Sequence, residues 1–210
     1  MEAMPTIARS LRDRAAEVLS PLVLVSGSRN RLETLRSCNV EVEVQSQNTD
    51  ESYGSLSSPG QIVSHIASVK MASYLSSPGF RSDRLALALD TMVSFNGRML
   101  GKPRDRKDAS DMLRSFSGRS QEVVTGFSLY IPAKGTVQSC DSSLVIFSTL
   151  TEQIIEDYLD SGEWQGAAGA YRIQKTGWKL IERITGSWTN VVGLPLEAVI
   201  RTVQQSATKS

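Results

Sequence analysis

Leu85-Ala86-Leu87-Ala88-Leu89 is apolar at every position, and the residue that follows is a carboxylate, Asp90. A strand sends successive side chains to opposite faces, so a run with no polar position must be covered on both. Leu22-Val23-Leu24-Val25 is a second run of this kind, and it feeds Ser26-Gly27-Ser28 and then Arg29-Asn30-Arg31. From Leu32 the residues look helical, so the unit reads strand, small-residue loop, helix. Val40, Val42 and Val44 alternate with Glu41, Glu43 and Gln45, the pattern of a half-exposed strand. Buried strands interleaved with helical segments imply an α/β chain: a central twisted mixed sheet flanked by helices, forming two lobes around a cleft.

The remaining segments fit that frame. Residues 46–59 are polar and turn-rich and hold Asp50 and Glu51. Residues 60–75 have helical spacing, with Ile62, Ile66, Val69 and Ser73 on one side and Lys70 on the rim of that face. The strand through Asp90 continues to Phe95, Asn96-Gly97 is a two-residue hairpin signal, and Arg98 begins the return towards Gly101-Lys102-Pro103. Ala109, Met112, Leu113 and Phe116 space a helix stopped at Ser117-Gly118. Residues 122–131 and 143–148 read as strands joined by a loop with Pro132 and Gly135. Thr151 caps a helix carrying Ile154, Ile155, Tyr158 and Leu159, residues 178–184 read as a strand, and Leu194-Pro195 opens a last helix to about Gln205. Residues 1–20 are expected as an N-terminal extension forming a short helix, 21–206 as one domain, and 207–210 as a disordered tail.

Composition narrows the chemistry. A net charge of +1 calls for neither a nucleic-acid polymer nor an anionic membrane as partner. Cys38 and Cys140 are the only cysteines and lie far apart, against a disulfide framework or a zinc site; Cys38 is expected as a small buried apolar residue. The single histidine, His65, cannot build a multi-histidine metal site, and it reads as a helix-flank residue. An enzyme with this inventory works through carboxylates, lysines, arginines or a bound metal. No apolar run approaches the roughly 20 residues that span a bilayer. The N-terminal stretch carries Asp13 and Glu17 and lacks the apolar region of a secretion signal, so a cytoplasmic location is expected.

Several residues could carry function. The turn Ser26-Gly27-Ser28 could present backbone N–H groups and hydroxyls to an anion, with Arg29 and Arg31 adding charge; as spacing alone it is equally a tight turn with solvated arginines. Asp90 ends a buried strand, where α/β proteins place catalytic groups, or it caps the next turn. Lys102, restrained between Gly101 and Pro103, and Lys70 could reach a phosphate or simply be solvated. Asp50 and Glu51 could share a divalent cation with Asp90, or form a solvated acidic turn. Trp164, Trp178 and Trp188 read as core or edge packing.

Seven strings in order resemble the Maf family, also described as septum-formation inhibitors and related in fold to inosine triphosphate pyrophosphatases. They are Leu-Val-Ser-Gly-Ser-Arg-Asn-Arg (24–31), Ala-Ser-Val-Lys (67–70), Leu-Asp-Thr-Met-Val (89–93) and Gly-Lys-Pro-Arg-Asp (101–105). Then follow Ser-Gly-Arg-Ser-Gln-Glu-Val-Val-Thr-Gly (117–126), Ala-Gly-Ala-Tyr-Arg-Ile-Gln (168–174) and Val-Val-Gly-Leu-Pro-Leu (191–196). The resemblance runs from about Leu22 to Ile200. It implies a nucleotide-binding cleft and hydrolysis of nucleoside triphosphates between the α- and β-phosphates, giving the monophosphate and pyrophosphate. By the same resemblance Asp90 is the catalytic carboxylate, Glu51 and Asp90 hold a divalent cation (Mg, Mn or Co), and Ser26, Arg31, Lys70 and Lys102 grip the triphosphate. It also implies a homodimer.

Thr91 and Gln174 match the subgroup that acts on dTTP, UTP and related pyrimidine nucleotides. The family's pyrimidine type usually reads Ser-Pro-Arg-Arg where this chain reads Ser28-Arg29-Asn30-Arg31, so Asn30 stands where an arginine is expected. That departure leaves two alternatives beside the dTTP/UTP reading: the same chemistry on 7-methyl-GTP, or a nucleotide-binding regulator of cell division with little turnover.

Overall fold

The structure is a computed structural model and describes residues 6–208. Its elements alternate along the chain: α1 (Arg9–Leu19), β1 (Leu22–Val25), α2 (Arg29–Ser37), β2 (Val42–Val44), α3 (Pro59–Leu75), β3 (Leu85–Phe95) and β4 (Arg98–Met99). There follow α4 (Arg106–Phe116), β5 (Ser120–Ile131), β6 (Gly135–Phe147), α5 (Glu152–Asp160), β7 (Ile181–Thr185), α6 (Trp188–Val191) and α7 (Leu196–Thr208). Two 3₁₀ turns, Ala168–Ala170 and Thr176–Leu180, precede β7. The strands form one mixed sheet in the order β2-β1-β3-β5-β6-β7, with β4 beside β3. The β1 strand is parallel to both β2 and β3, whereas β3, β5, β6 and β7 pair antiparallel in turn. Among the described residues no helix is long and apolar enough to cross a membrane.

The apolar run in β3 is covered on both faces, as its composition demands. Leu87 and Leu89 join Leu22, Leu24, Phe127 and Leu129 in a core roofed by α1, α2 and α7. Ala86 and Ala88 face the other way, with Val23 and Val25, against Met71 and Tyr74 of α3. The leucine–alanine alternation records two different clearances: long side chains under three helices, short ones where a single helix lies close. The closest approach is at Gly126 of β5, where a Cβ would stand 2.5 Å from the backbone of Val63 and Ser64. The α3 helix thus rests backbone to backbone on the sheet.

A third core lies at the far ends of the same strands. Val123, Val145 and Phe147 pack there with Leu113 and Phe116 of α4 and Ile155 and Leu159 of α5. Since β3, β5 and β6 run through both regions, the two lobes share a sheet. The boundary falls near the register pairs Asp90↔Gly126 and Thr91↔Thr125.

Some boundaries differ from the sequence reading. The segment 178–184 is a 3₁₀ turn up to Leu180 and a strand only from Ile181. The strand expected from 143 begins at Gly135, because a continuous ladder with β5 holds a polar, exposed stretch in extended form. The last helix reaches Thr208, so 207 and 208, expected in a disordered tail, are helical; 209 and 210 lie outside the described residues. Of the N-terminal extension, residues 1–5 lie outside them too, and Arg9–Leu19 is a helix whose Ala15 and Leu19 are fully buried in the main core.

Candidate active site

The edge of β3 that faces β1 is paired only through Ala88, and pairing resumes with β4 at Ser94. Leu100 N–H also donates to Val93 O, so residues 89–92 line a gap in the sheet, beyond the carboxyl end of β1, the position at which open α/β sheets receive ligands. Asp90 and Thr91 sit in this gap and, by strand alternation, project to opposite faces.

Asp90 lies on the α3 side. Close seating of that helix brings Lys70 over it, and the Lys70 ammonium donates to Asp90 Oδ1 at 2.9 Å. The same ammonium is 2.9 Å from Glu51 Oε1. Lys70 and Asp90 are nearly closed off, at 13% and 16% side-chain exposure, while Glu51 is 54% exposed on its loop. Burial pushes the Asp90 carboxyl above the ordinary carboxylate range; the hydrogen bond and charge of Lys70, and then the charge of Arg31, oppose this, and Glu51 adds to it. Asp50, by contrast, is turned into its own loop, accepting from the Ser52 backbone N–H and hydroxyl.

Thr91 lies on the α2 side, where it meets Arg31. Ser28 caps α2 by accepting from the Arg31 backbone N–H. The Arg31 side chain is buried and donates to Gly193 O (2.8 Å), Ser26 Oγ (3.0 Å), Leu89 O (3.0 Å) and Thr91 Oγ1 (2.9 Å). Four of the five guanidinium N–H groups are thus spent inside the protein. Burial pulls its pKa down, with Asp90 and then Glu51 pulling it back up. The Thr91 hydroxyl continues the network to Thr125 Oγ1 at 3.0 Å, and Thr125 reaches the Asn190 carbonyl. Gly193 takes part because of its backbone: φ is +93°, and a Cβ there would meet Thr91 Oγ1 at 3.3 Å.

These contacts sort the residues picked out from the sequence. Ser26, Arg31 and Thr91 form one buried hydrogen-bonded set, and Glu51, Lys70 and Asp90 form one ionic set. The structure gives Ser26 and Thr91 as internal partners of Arg31. Asn30 and Gln174 meet elsewhere, on the wall of a pocket of about 230 Å³. A stripe of α2, with Asn30, Glu33 and Ser37 exposed and Thr34 half-buried, forms one side of that pocket. Trp188, which the sequence suggested only as packing, forms part of another. Lys102 is exposed and makes no contact with either set among the described residues. Thr125 and Gly193 lie in the strings 117–126 and 191–196 that resemble the family, but the sequence gives neither a role; a glycine and a threonine carry no local mark of their distant partners.

No group of three or more His, Cys, Asp or Glu side chains able to hold a metal comes together among the described residues. What the site offers a cation is a pair of carboxylates, Glu51 and Asp90, which meet at one ammonium. Two oxygen donors suit an ion such as Mg²⁺, which keeps several waters and takes further ligands from phosphate, and do not suit a structural zinc.

An α/β chain with an acid–base pair in a gap of its sheet belongs with the enzymes that handle small ligands at a switch in strand order. The Maf-like protein family model matches residues 21–206, and the chain belongs to that family. It is 34% identical over 192 residues to a dTTP/UTP pyrophosphatase of Bacillus cereus, covering 91% of this chain and 93% of that protein. A dTTP/UTP pyrophosphatase of Bacillus cytotoxicus is 35% identical over 187 residues, covering 89% and 96%. Among solved structures, a HAM1 protein from Coxiella burnetii matches 90% of this chain and 98% of its own at 13% identity, with a TM-score of 0.43.

Proposed function

We propose that this chain hydrolyses pyrimidine nucleoside triphosphates of the dTTP and UTP type to the monophosphate and pyrophosphate. The observation that carries the reading is the Asp90–Lys70 pair in the gap of the sheet. Lys70 occupies Oδ1, so Oδ2 is left to accept a proton. A carboxyl held above its ordinary range is a better proton acceptor than a solvated one. Asp90 takes a proton from water as that water attacks the α-phosphorus, and the bond to the bridging oxygen of the leaving pyrophosphate breaks. Lys70 supplies positive charge, and the exposed Lys102 can come to the departing phosphates from the other lobe. Glu51 and Asp90 would hold a divalent cation (Mg, Mn or Co), which when bound neutralises phosphate charge. The pyrimidine preference is supported by the identity of the relatives and by the place of Gln174 in the pocket lining.

The test is release of pyrophosphate from dTTP, UTP, CTP and 7-methyl-GTP with magnesium, manganese or cobalt, beside Asp90→Asn. Metal-dependent release from dTTP or UTP that the variant loses supports the reading. Preference for 7-methyl-GTP overturns the base assignment, and turnover that survives in Asp90→Asn overturns the assignment of the base catalyst.

A further inference from the structure

The family match begins at residue 21, yet the pocket that holds Asn30 and Gln174 has a wall from before it: Ile7. Ile7 is anchored by its neighbours. It lies two residues before α1, whose first turn is fixed by the Leu11 and Arg12 N–H groups donating to Ala8 O at 3.0 and 3.1 Å. Its side chain is half-buried and packs against the same core as Ala15 and Leu19, and α1 lies along α7.

The walls are mixed in chemistry. Ile7, Trp188 and Val192 are apolar; Asn30 and Gln174 offer two amides; Thr34 and Ser37 carry hydroxyls that donate to carbonyls of α2, and the Glu33 carboxylate is paired with Arg29. Amides present donors and acceptors together, the match for the edge of a heterocycle, and the apolar groups match its faces. Val192 adjoins Gly193, whose carbonyl accepts from Arg31, and Arg31 donates in turn to Thr91, the neighbour of Asp90. The pocket is thereby joined through one loop to the gap where the phosphates would lie.

We infer that Ile7, just before α1, is part of the substrate pocket, a specificity-determining wall against the base of a bound pyrimidine nucleotide. This rests on the function proposed above. It assigns a role in base recognition to a residue outside the stretch that the family model matches. A bare phosphate chain has no base and is indifferent to Ile7.

The test uses the full chain and two probes by calorimetry: dTMP, which carries the base, and inorganic pyrophosphate, which does not. Ile7→Ala is expected to weaken dTMP about 5- to 20-fold, the scale expected when an apolar wall of a ligand pocket is cut back, and to leave pyrophosphate unchanged. Ile7→Leu keeps the bulk and is expected to restore dTMP binding to within about twofold. In turnover the same loss appears in KM for dTTP with kcat held. Unchanged dTMP affinity in Ile7→Ala overturns the inference, as does an equal loss for both probes, which would mean the segment only supports the fold. Binding of pyrophosphate but not dTMP by the unaltered chain would overturn the base pocket and leave the phosphoanhydride chemistry standing. An Ile7 effect on dTMP in a chain that hydrolyses no nucleotide would do the reverse.

Discussion

Replacing Arg31 by methionine separates two roles that a buried guanidinium can have. Methionine keeps much of the length and removes every donor. Ser26 Oγ and Thr91 Oγ1 keep other partners, the Ser28 N–H and the Thr125 hydroxyl. The carbonyls of Gly193 and Leu89 lose their hydrogen bonds of 2.8 and 3.0 Å. Each buried acceptor left without a donor costs about 1–3 kcal/mol, so the pair costs about 2–6. Relief of the guanidinium's own desolvation offsets part of this, leaving a net loss of about 3 kcal/mol. For a chain of this size that lowers Tm by roughly 6–12 °C, read by calorimetry or chemical denaturation. Arg31→Lys keeps the charge and one donor group, and is expected to fall between. The loss follows from Arg31 holding α2, the end of β3 and the Gly193 loop together. A methionine variant whose Tm moves by less than about 2 °C, under 1 kcal/mol, while kcat/KM falls a hundredfold would refute that reasoning and return Arg31 to the substrate.

In metal-free protein, Asp90→Asn is expected to match or exceed the parent Tm near neutral pH while losing about 10²- to 10⁴-fold in turnover. The sign follows from linkage: the folded-state pKa is raised by burial, so any stability Asp90 contributes is present below the ordinary carboxylate pKa and is lost as pH rises through the raised one. The variant's advantage therefore grows on going from acid to neutral pH, and thermal melts from pH 4 to 7.5 that show the opposite trend would contradict it. Gly126→Ala is expected to cost about 1–3 kcal/mol, because the new methyl meets the α3 backbone at 2.5 Å. Displacing α3 moves Lys70, so kcat should fall more than stability alone explains, and an active, unshifted Gly126→Ala protein would show that the close seating of α3 is dispensable.

Which parts of this site the sequence made legible follows the range of the interactions. Asp90 stood out because a carboxylate after five apolar residues is anomalous within a few positions. That Asp90 and Thr91 serve different faces follows from strand alternation, but which helix covers each face depends on contacts up to 162 residues apart, as between Arg31 and Gly193. The buried side of α3 differs in part from the one its spacing predicts. Ile62 and Ile66 are buried as expected, but Val63, Ala67, Met71 and Tyr74 share the buried face where Val69 and Ser73 were expected to point. A helix with apolar groups nearly all round offers no sharp face to read. Lys102 is a different case. Its Gly-Lys-Pro frame restrains the backbone, yet the four-carbon side chain is still free in solvent, and no local pattern records where a solvated ammonium will go.

Because the cleft is a notch in a continuous β3 and not a seam between separately folded halves, the chain has little freedom to open and close around a ligand by swinging its lobes. Any such swing would have to bend three neighbouring strands at once, breaking the ladder at Asp90↔Gly126 and Thr91↔Thr125. The adaptable parts are those not woven into the sheet: the Glu51 loop and the Lys102 loop. The carboxylate and its ammonium are thus held on a rigid frame, and adjustment to each nucleotide is left to side chains that come to it from the rim.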